Sequence, residues 1–130
     1  MAEGKVAFEL VSPERLLVSQ PVDMVVVPGG EGDFGVLPGH APLISTLRPG
    51  VVDVVLGGSK ARVFVREAFA QVAPERVTGL AEKAYDVAEL TGATLSAELS
   101  KAEADLASAK DDAARLTANQ AIESLSALKA

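Results

Sequence analysis

Val51-Val52-Asp53-Val54-Val55-Leu56-Gly57-Gly58-Ser59-Lys60-Ala61-Arg62-Val63-Phe64-Val65-Arg66 reads as two β-strands and the turn between them. β-Branched and aromatic residues fit a pleated, half-buried surface. Glycine enters positive φ at little cost, so residues 57–60 form the expected turn between strands 51–56 and 61–66. The same pattern repeats outward. Residues 69–73 and 76–81 flank Pro74-Glu75, a second tight connection. Residues 5–11 alternate, with Val6, Phe8 and Leu10 on one face. Residues 15–19 form a short strand bracketed by Pro13 and Pro21, and residues 22–27 are nearly all apolar, as in a strand buried on both faces. Short strands at this spacing predict a β-sandwich or barrel rather than an open sheet.

The pattern stops near residue 90. All seven Pro lie at or before Pro74, all 11 Gly at or before Gly92, and none of the Val falls after Val87. Residues 93–130 contain 12 Ala and no Gly, Pro, Val or aromatic residue. Such a segment favours helix. Leu95, Leu99, Ala102, Leu106, Ala109, Ala113 and Leu116 follow a 4-3 spacing that makes one apolar stripe. A second stripe, at Ala118, Ile122, Leu125 and Lys129 with Ala121 and Leu128 beside it, is out of phase with the first. Asp111-Asp112 is the expected break, because Asp favours turns and N-caps. Two helices, about 94–110 and 113–128, are expected to fold into a hairpin, with one continuous helix as the alternative because the break lacks Gly and Pro; Lys101–Asp105 and Asp111–Arg115 are expected to pair on the wet side. Ala and single Leu residues bury little area, which makes the hairpin a candidate moving part.

Bulk composition narrows the chemistry. Within its 130 residues the chain has no Cys and one His, which excludes a disulfide framework and a thiolate site and makes a zinc centre improbable. Its net charge of −6 lacks the basic field that nucleic-acid binding needs. No window approaches a membrane-spanning length of apolar residues. Residues 1–5 carry no apolar run, so no secretory signal is expected.

The segment Pro28-Gly29-Gly30-Glu31-Gly32-Asp33-Phe34-Gly35-Val36-Leu37-Pro38-Gly39-His40-Ala41-Pro42-Leu43 is densest in Gly and Pro. As a phosphate loop it lacks the Lys and the following helix, and two carboxylates would repel phosphate. As an acid–base site it offers His40 with Asp33 or Glu31, but no second His. As a shaped turn region presenting Glu31, Asp33 and His40 it needs only Gly and Pro chemistry.

The run from Glu31 to Ile44, with its Pro38-Gly39-His40-Ala41-Pro42 core, followed by Leu47-Arg48-Pro49-Gly50, closely resembles the epsilon subunit of bacterial F-type ATP synthases. Leu10-Val11-Ser12-Pro13-Glu14 matches the family's first strand and turn. The resemblance covers the whole layout and implies a β-sandwich N-terminal domain followed by a C-terminal α-helical hairpin. It divides the chain into a docking domain, residues 1–88, and a two-helix antiparallel hairpin, residues 89–130. A first strand beginning about four residues after Met1 favours the bacterial form over its mitochondrial counterpart, which carries a transit peptide.

By that resemblance the chain is a non-catalytic rotor subunit with no cofactor and no metal. It binds the gamma subunit, rests on the c-ring and couples proton flow to ATP synthesis. It is peripheral on the cytoplasmic face of the bacterial inner membrane, reaching the membrane only through partner subunits. Asp33, with Glu31 beside it, corresponds to the c-ring-facing loop, and such contacts weaken with salt. Ser12, His40 and Ser45 correspond to gamma-facing positions. In some members the hairpin binds ATP or rises to inhibit hydrolysis by engaging the alpha/beta catalytic head. Here residues 95–109 contain no Arg and no Ile/Leu-Asp-x-x-Arg-Ala string, which puts ATP binding in doubt. The tail has four basic against six acidic residues, which argues against strong inhibition.

Overall fold

The computed structural model describes residues 4–128. Eight strands come first: β1 (Val6–Val11), β2 (Leu16–Val22), β3 (Met24–Gly29), β4 (Gly32–Val36), β5 (Leu43–Leu47), β6 (Gly50–Leu56), β7 (Ser59–Val72) and β8 (Arg76–Asp86). A short 3-10 turn, Val87–Glu89, leads into helices α1 (Gly92–Ser108) and α2 (Asp112–Ala127). The strands run β2-β1-β8-β7-β5-β3-β4, with β6 joined to both β3 and β7. β1 and β3 are distant in that order, yet Phe8, Leu10, Val25 and Val27 share one buried cluster. The sheet therefore folds over on itself as the expected sandwich, with α1 and α2 forming the expected hairpin. β1 lies parallel to β8, so the first and last strands stand side by side.

Several expectations need correction. Residues 22–27 are not one doubly buried strand. The chain bends at Asp23, and Val25 and Val27 are buried while Met24 and Val26 are half-buried. Pro21 does not bracket β2 but lies within it. It is tolerated because β2 is an edge strand paired only with β1. The Gly/Pro segment is not all turn, since it contains the end of β3 and all of β4. The 57–60 turn is two residues, with Leu56 opposite Ser59 and Gly57 at φ +61.

Strands 61–66 and 69–73 are one strand, β7, and their junction divides the sheet. Val63 and Val65 point into the core, but so do Ala68, Ala70 and Val72, so the alternation changes phase at Glu67. Glu67 has φ +53, a region non-glycine residues rarely enter. β8 changes phase opposite it, from Val77 and Ala81 to Ala84. Because both strands take the extra step, the register is continuous on either side, Arg66 with Lys83 and Ala68 with Ala81. Before the kink, Phe64 and Tyr85 face the helices, packing with Leu90, Leu95, Ala102, Ala121 and Leu125. Beyond it, Phe69 and Leu80 face outward and lie outside that cluster, each 41% exposed.

The hairpin breaks where expected. Asp111 caps α2, its Oδ1 accepting from the Ala114 N–H at 2.7 Å. The wet-side pairs differ from the expected ones. Asp105 accepts from Arg66 of β7 at 2.8 Å, Lys101 reaches Glu98 at 3.2 Å, and Arg115 pairs with Asp112. Ala113 and Leu116 leave the buried stripe, with Leu116 58% exposed. Lys129 lies outside the described residues.

Candidate functional site

Three regions concentrate chemistry. The first is the β3–β4 tip. Gly29 pairs with Gly32, leaving Gly30 and Glu31 as a two-residue turn. A Cβ on Gly29 would come within 2.7 Å of the Gly32 carbonyl and 2.9 Å of the Phe34 ring, so the hairpin closes only around glycine. The strand-5 extension braces it: Gly30 N–H donates to Thr46 at 3.2 Å, and Arg48 N–H to Pro28 at 2.9 Å. The Arg48 guanidinium donates from Nη1 to the Gly29 carbonyl at 2.6 Å and from Nη2 to Asp33 Oδ1. Asp33 is therefore a strand residue in an ion pair, not a free carboxylate on a turn. Glu31, at the turn, is exposed.

His40 lies near this tip, its ring 6.4 Å from that of Phe34. Its Nδ1 donates to the Ala41 carbonyl at 2.7 Å. With Asp33 on Arg48, the two do not form an acid–base couple. Among the described residues there is no cluster of three potential metal ligands.

The second region is the bare outer face beyond the Glu67 kink. The ladder places Thr46 beside Phe69, Phe69 beside Leu80, Leu80 beside Val11 and Val11 beside Leu16. Phe69, Leu80 and Leu16 are exposed, as is Ile44 at 72%. Leu116 of α2 borders the same hollow as Ile44 and Phe69. Two residues singled out from sequence flank this face without being its surface. Ser12 is buried and its hydroxyl closes the β1–β2 turn, exchanging hydrogen bonds with Arg15 at 3.3 Å. Ser45 is half-buried between the outward Ile44 and Thr46.

The third region was not singled out from sequence. Glu98 of α1 is 2% exposed against β8. Its Oε2 accepts from the Tyr85 hydroxyl at 2.8 Å and from Lys101 Nζ at 3.2 Å, while Oε1 has no partner. Burial pushes this carboxyl up, but Tyr85, Lys101 and the Lys83 charge outweigh it and hold the group below the usual glutamate range. Burial and then Glu98 push the Tyr85 phenol up. The spacing Leu95, Glu98, Ala102 carried the signal, because Glu98 falls on the same helical face.

Comparison with known proteins fits this layout. Residues 5–87 match the family described as "ATP synthase, Delta/Epsilon chain, beta-sandwich domain". The ATP synthase epsilon chain of Parvibaculum lavamentivorans is 48% identical over 130 residues, covering 99% of this chain and 98% of the relative. That of Paramagnetospirillum magneticum is 56% identical over 113 residues, covering 86% and 84%. A chain in the Euglena gracilis mitochondrial ATP synthase structure, described as OSCP/F1/c-ring, superposes with a TM-score of 0.73 at 26% identity, covering 96% of this chain and 79% of that one. A chain of the Tetrahymena thermophila mitochondrial central stalk and c-ring shares the fold, with a TM-score of 0.68 at 9% identity and 97% coverage of both chains.

Proposed function

The chain belongs to the bacterial epsilon branch of the ATP synthase delta/epsilon family, and from that premise we propose that it is a non-catalytic rotor subunit linking gamma to the c-ring. It transmits coupling by being held between two partners while ATP is made in neighbouring subunits. It sits peripherally on the cytoplasmic face of the inner membrane, attached through those partners. Among the described residues no helix is long and apolar enough to cross a membrane. Residues 1–88 do the docking, and residues 89–130 brace or regulate.

The carrying observation is the bare half of the β7–β8 outer face. The same two strands have their other half covered by the chain's own helices. Phe69, Leu80, Leu16 and Ile44 stand ready for a partner of similar character. We assign this face to gamma, with Ser12 and Ser45 at its margins, His40 at the adjoining tip, and the contacts made by their outward neighbours. The β3–β4 tip, with Glu31 and Asp33, is assigned to the c-ring. Replacing Phe69 and Leu80 together by Glu should weaken binding of the full chain to gamma by about 30-fold or more, as expected for central apolar anchors. A folded double variant that binds as before rejects the surface. Wild-type protein that fails to bind gamma rejects the rotor reading itself.

A second reading rests on Glu98. A hairpin docked through two leucines, two alanines and a buried carboxylate with one oxygen unpartnered is built to let go. Released, it would inhibit ATP hydrolysis by engaging the alpha/beta head. Deleting residues 93–130 should then raise hydrolysis by the assembled enzyme without loss of assembly. Unchanged hydrolysis removes this reading.

A further inference from the structure

We propose that the outer face of the β7–β8 sheet holds a seat for one Lys or Arg side chain of gamma, and that the Glu67 carboxylate at the kink binds it. This rests on the assignment of that face to gamma. Glu67 has φ +53, while the register on either side is regular, Arg66 with Lys83 and Ala68 with Ala81. Glycine enters this region freely, and a long side chain held there costs strain. Glycine alone would serve the kink. Nothing within the chain offsets the strain. Glu67 is exposed and makes no ion pair among the described residues. The cations nearest in sequence and register are engaged under the hairpin. Arg66 holds Asp105 at 2.8 Å, and the Lys83 charge acts on Glu98. What the Glu67 carboxylate serves therefore lies outside the chain.

The surroundings of Glu67 say what that is. Glu67 and Glu82 stand between the two register pairs, and both are exposed. They border one hollow of about 300 Å³, whose other walls include Val11, Pro13, Phe69 and Leu80. Carboxylate and apolar carbon in one hollow suit a long cationic side chain. Its methylene stem lies on Phe69 and Leu80, and its charged head meets Glu67. An aliphatic side chain in the same place would desolvate the carboxylate without pairing it, and an acidic one would add a further negative charge. The apolar row Phe69, Leu80, Val11, Leu16 runs on from this hollow across the sheet. The seat is continuous with the docking face, so a partner covering that face covers the hollow too. Apolar contact holds the partner, and the charge fixes its register on the sheet.

Binding of the full chain to purified gamma at low and high salt tests this, with urea unfolding measured on each variant. Glu67→Gly removes strain and charge together. It should leave the urea midpoint no lower than that of wild type and yet weaken low-salt binding about two- to fivefold, as for one exposed charge pair. Glu67→Gln keeps the strained backbone and loses only the charge, and should weaken binding as much. Both variants should lose salt dependence. Glu67→Asp keeps the charge on a residue that tolerates positive φ better, and should retain that dependence.

The proposal is overturned if either Glu67→Gly or Glu67→Gln binds gamma as wild type does at low salt. It is overturned also if their loss persists undiminished at high salt, which would make it a matter of shape rather than charge. A urea midpoint lowered by Glu67→Gly would mean that the side chain serves the fold, and rejects it too. Wild-type protein that fails to bind gamma, or binding that survives Phe69→Glu with Leu80→Glu, removes the docking face on which the inference rests. Unchanged binding by the Glu67 variants with that face intact removes the seat alone.

Discussion

The two faces of the β7–β8 sheet are packed by different means. The inner face closes on Val, Leu, Phe and Ala from every strand, with no charged group in the cluster. The outer face, where the hairpin covers it, closes on Phe64, Leu90, Leu95 and Leu125 with two alanines, and it buries Arg66 and Glu98 as well. Interior volume gives the first face cohesion, because each methylene removed leaves a cavity. The second has less apolar volume to lose and depends also on ion pairs and hydrogen bonds, which leave Glu98 Oε1 without a partner. The sandwich is thereby a fixed platform, and the hairpin the part of the molecule most easily separated from it.

The sharpest way to break this comparison is to truncate one leucine on each side. Leu10→Ala removes a side chain 1% exposed in the sandwich core and should cost about 2–5 kcal/mol in denaturant unfolding. Leu125→Ala removes an equally buried side chain from α2. It should act mainly on the hairpin, speeding amide exchange in α1 and α2 while the strand amides keep their protection. If both substitutions lower a single cooperative transition equally, the two faces are not energetically distinct.

A smaller effect is expected at the buried carboxylate. Tyr85→Phe deletes the hydroxyl donating to Glu98 Oε2, leaving Lys101 as its remaining hydrogen-bond partner, and should destabilise the docked hairpin by about 1–3 kcal/mol. The same cluster sets a pH window. Glu98 is held below its usual range, so its stabilisation is present above that range and is lost as pH falls through the lowered value. Tyr85 is pushed above its usual range, so its contribution is present at neutral pH and is lost as pH rises through the raised value. Lys101, raised by its bond to Glu98, is lost on the same alkaline side. Exchange protection in the helices should therefore be flat around neutrality and fall at both extremes, and Glu98→Gln should flatten the acid limb. Asp23 in the sandwich is also lowered, by Lys5 and by the Gly57 N–H. Its acid loss should appear in the β2–β3 bend and the β6–β7 turn instead, and an acid limb confined to the strands would sink the role given to Glu98.

The parts of this arrangement that were legible in sequence are those set by local chemistry. Gly57-Gly58, Pro74-Glu75 and Asp111 each impose a backbone geometry over a few residues, and all three stand at turns or caps as read. The parts not legible depend on distant partners. β4 holds two glycines and an aspartate, and no alternation marks it as a strand. It exists because β3 lies beside it. The phase change at Glu67 needs the matching step in β8 and has no signature in β7 alone. Arg66 finds Asp105, 39 residues away, in preference to the local pairing expected of Asp105 with Lys101. At the tip, Asp33 was read correctly as exposed, but its neutralisation by Arg48 could not be foreseen from spacing, since the two meet only once β5 lies against the end of β3. Glu98 is the one omission that sequence could have supplied. Counting only apolar residues along the stripe hid a carboxylate standing on it.

The smallest effects fall within the hairpin itself, where two adjacent aspartates repeat the contrast in miniature. Asp111 is the N-cap of α2, and its carboxylate accepts from the Ala114 N–H, a donor with no partner inside the helix. Asp112 is one residue further on, with its side chain 99% exposed and paired to a half-exposed Arg115. Asp111→Ala should therefore cost about 1 kcal/mol of α2 stability, because a backbone donor loses its acceptor. Asp112→Asn should change it by no more than about 0.5 kcal/mol at physiological salt, because the pair it breaks is solvated on all sides. Amide exchange at Ala114 and Arg115 reads the two directly. Equal acceleration in both variants would mean that charge near the helix end, rather than the cap's hydrogen bond, holds the first turn of α2. The hairpin's fold would then depend on salt.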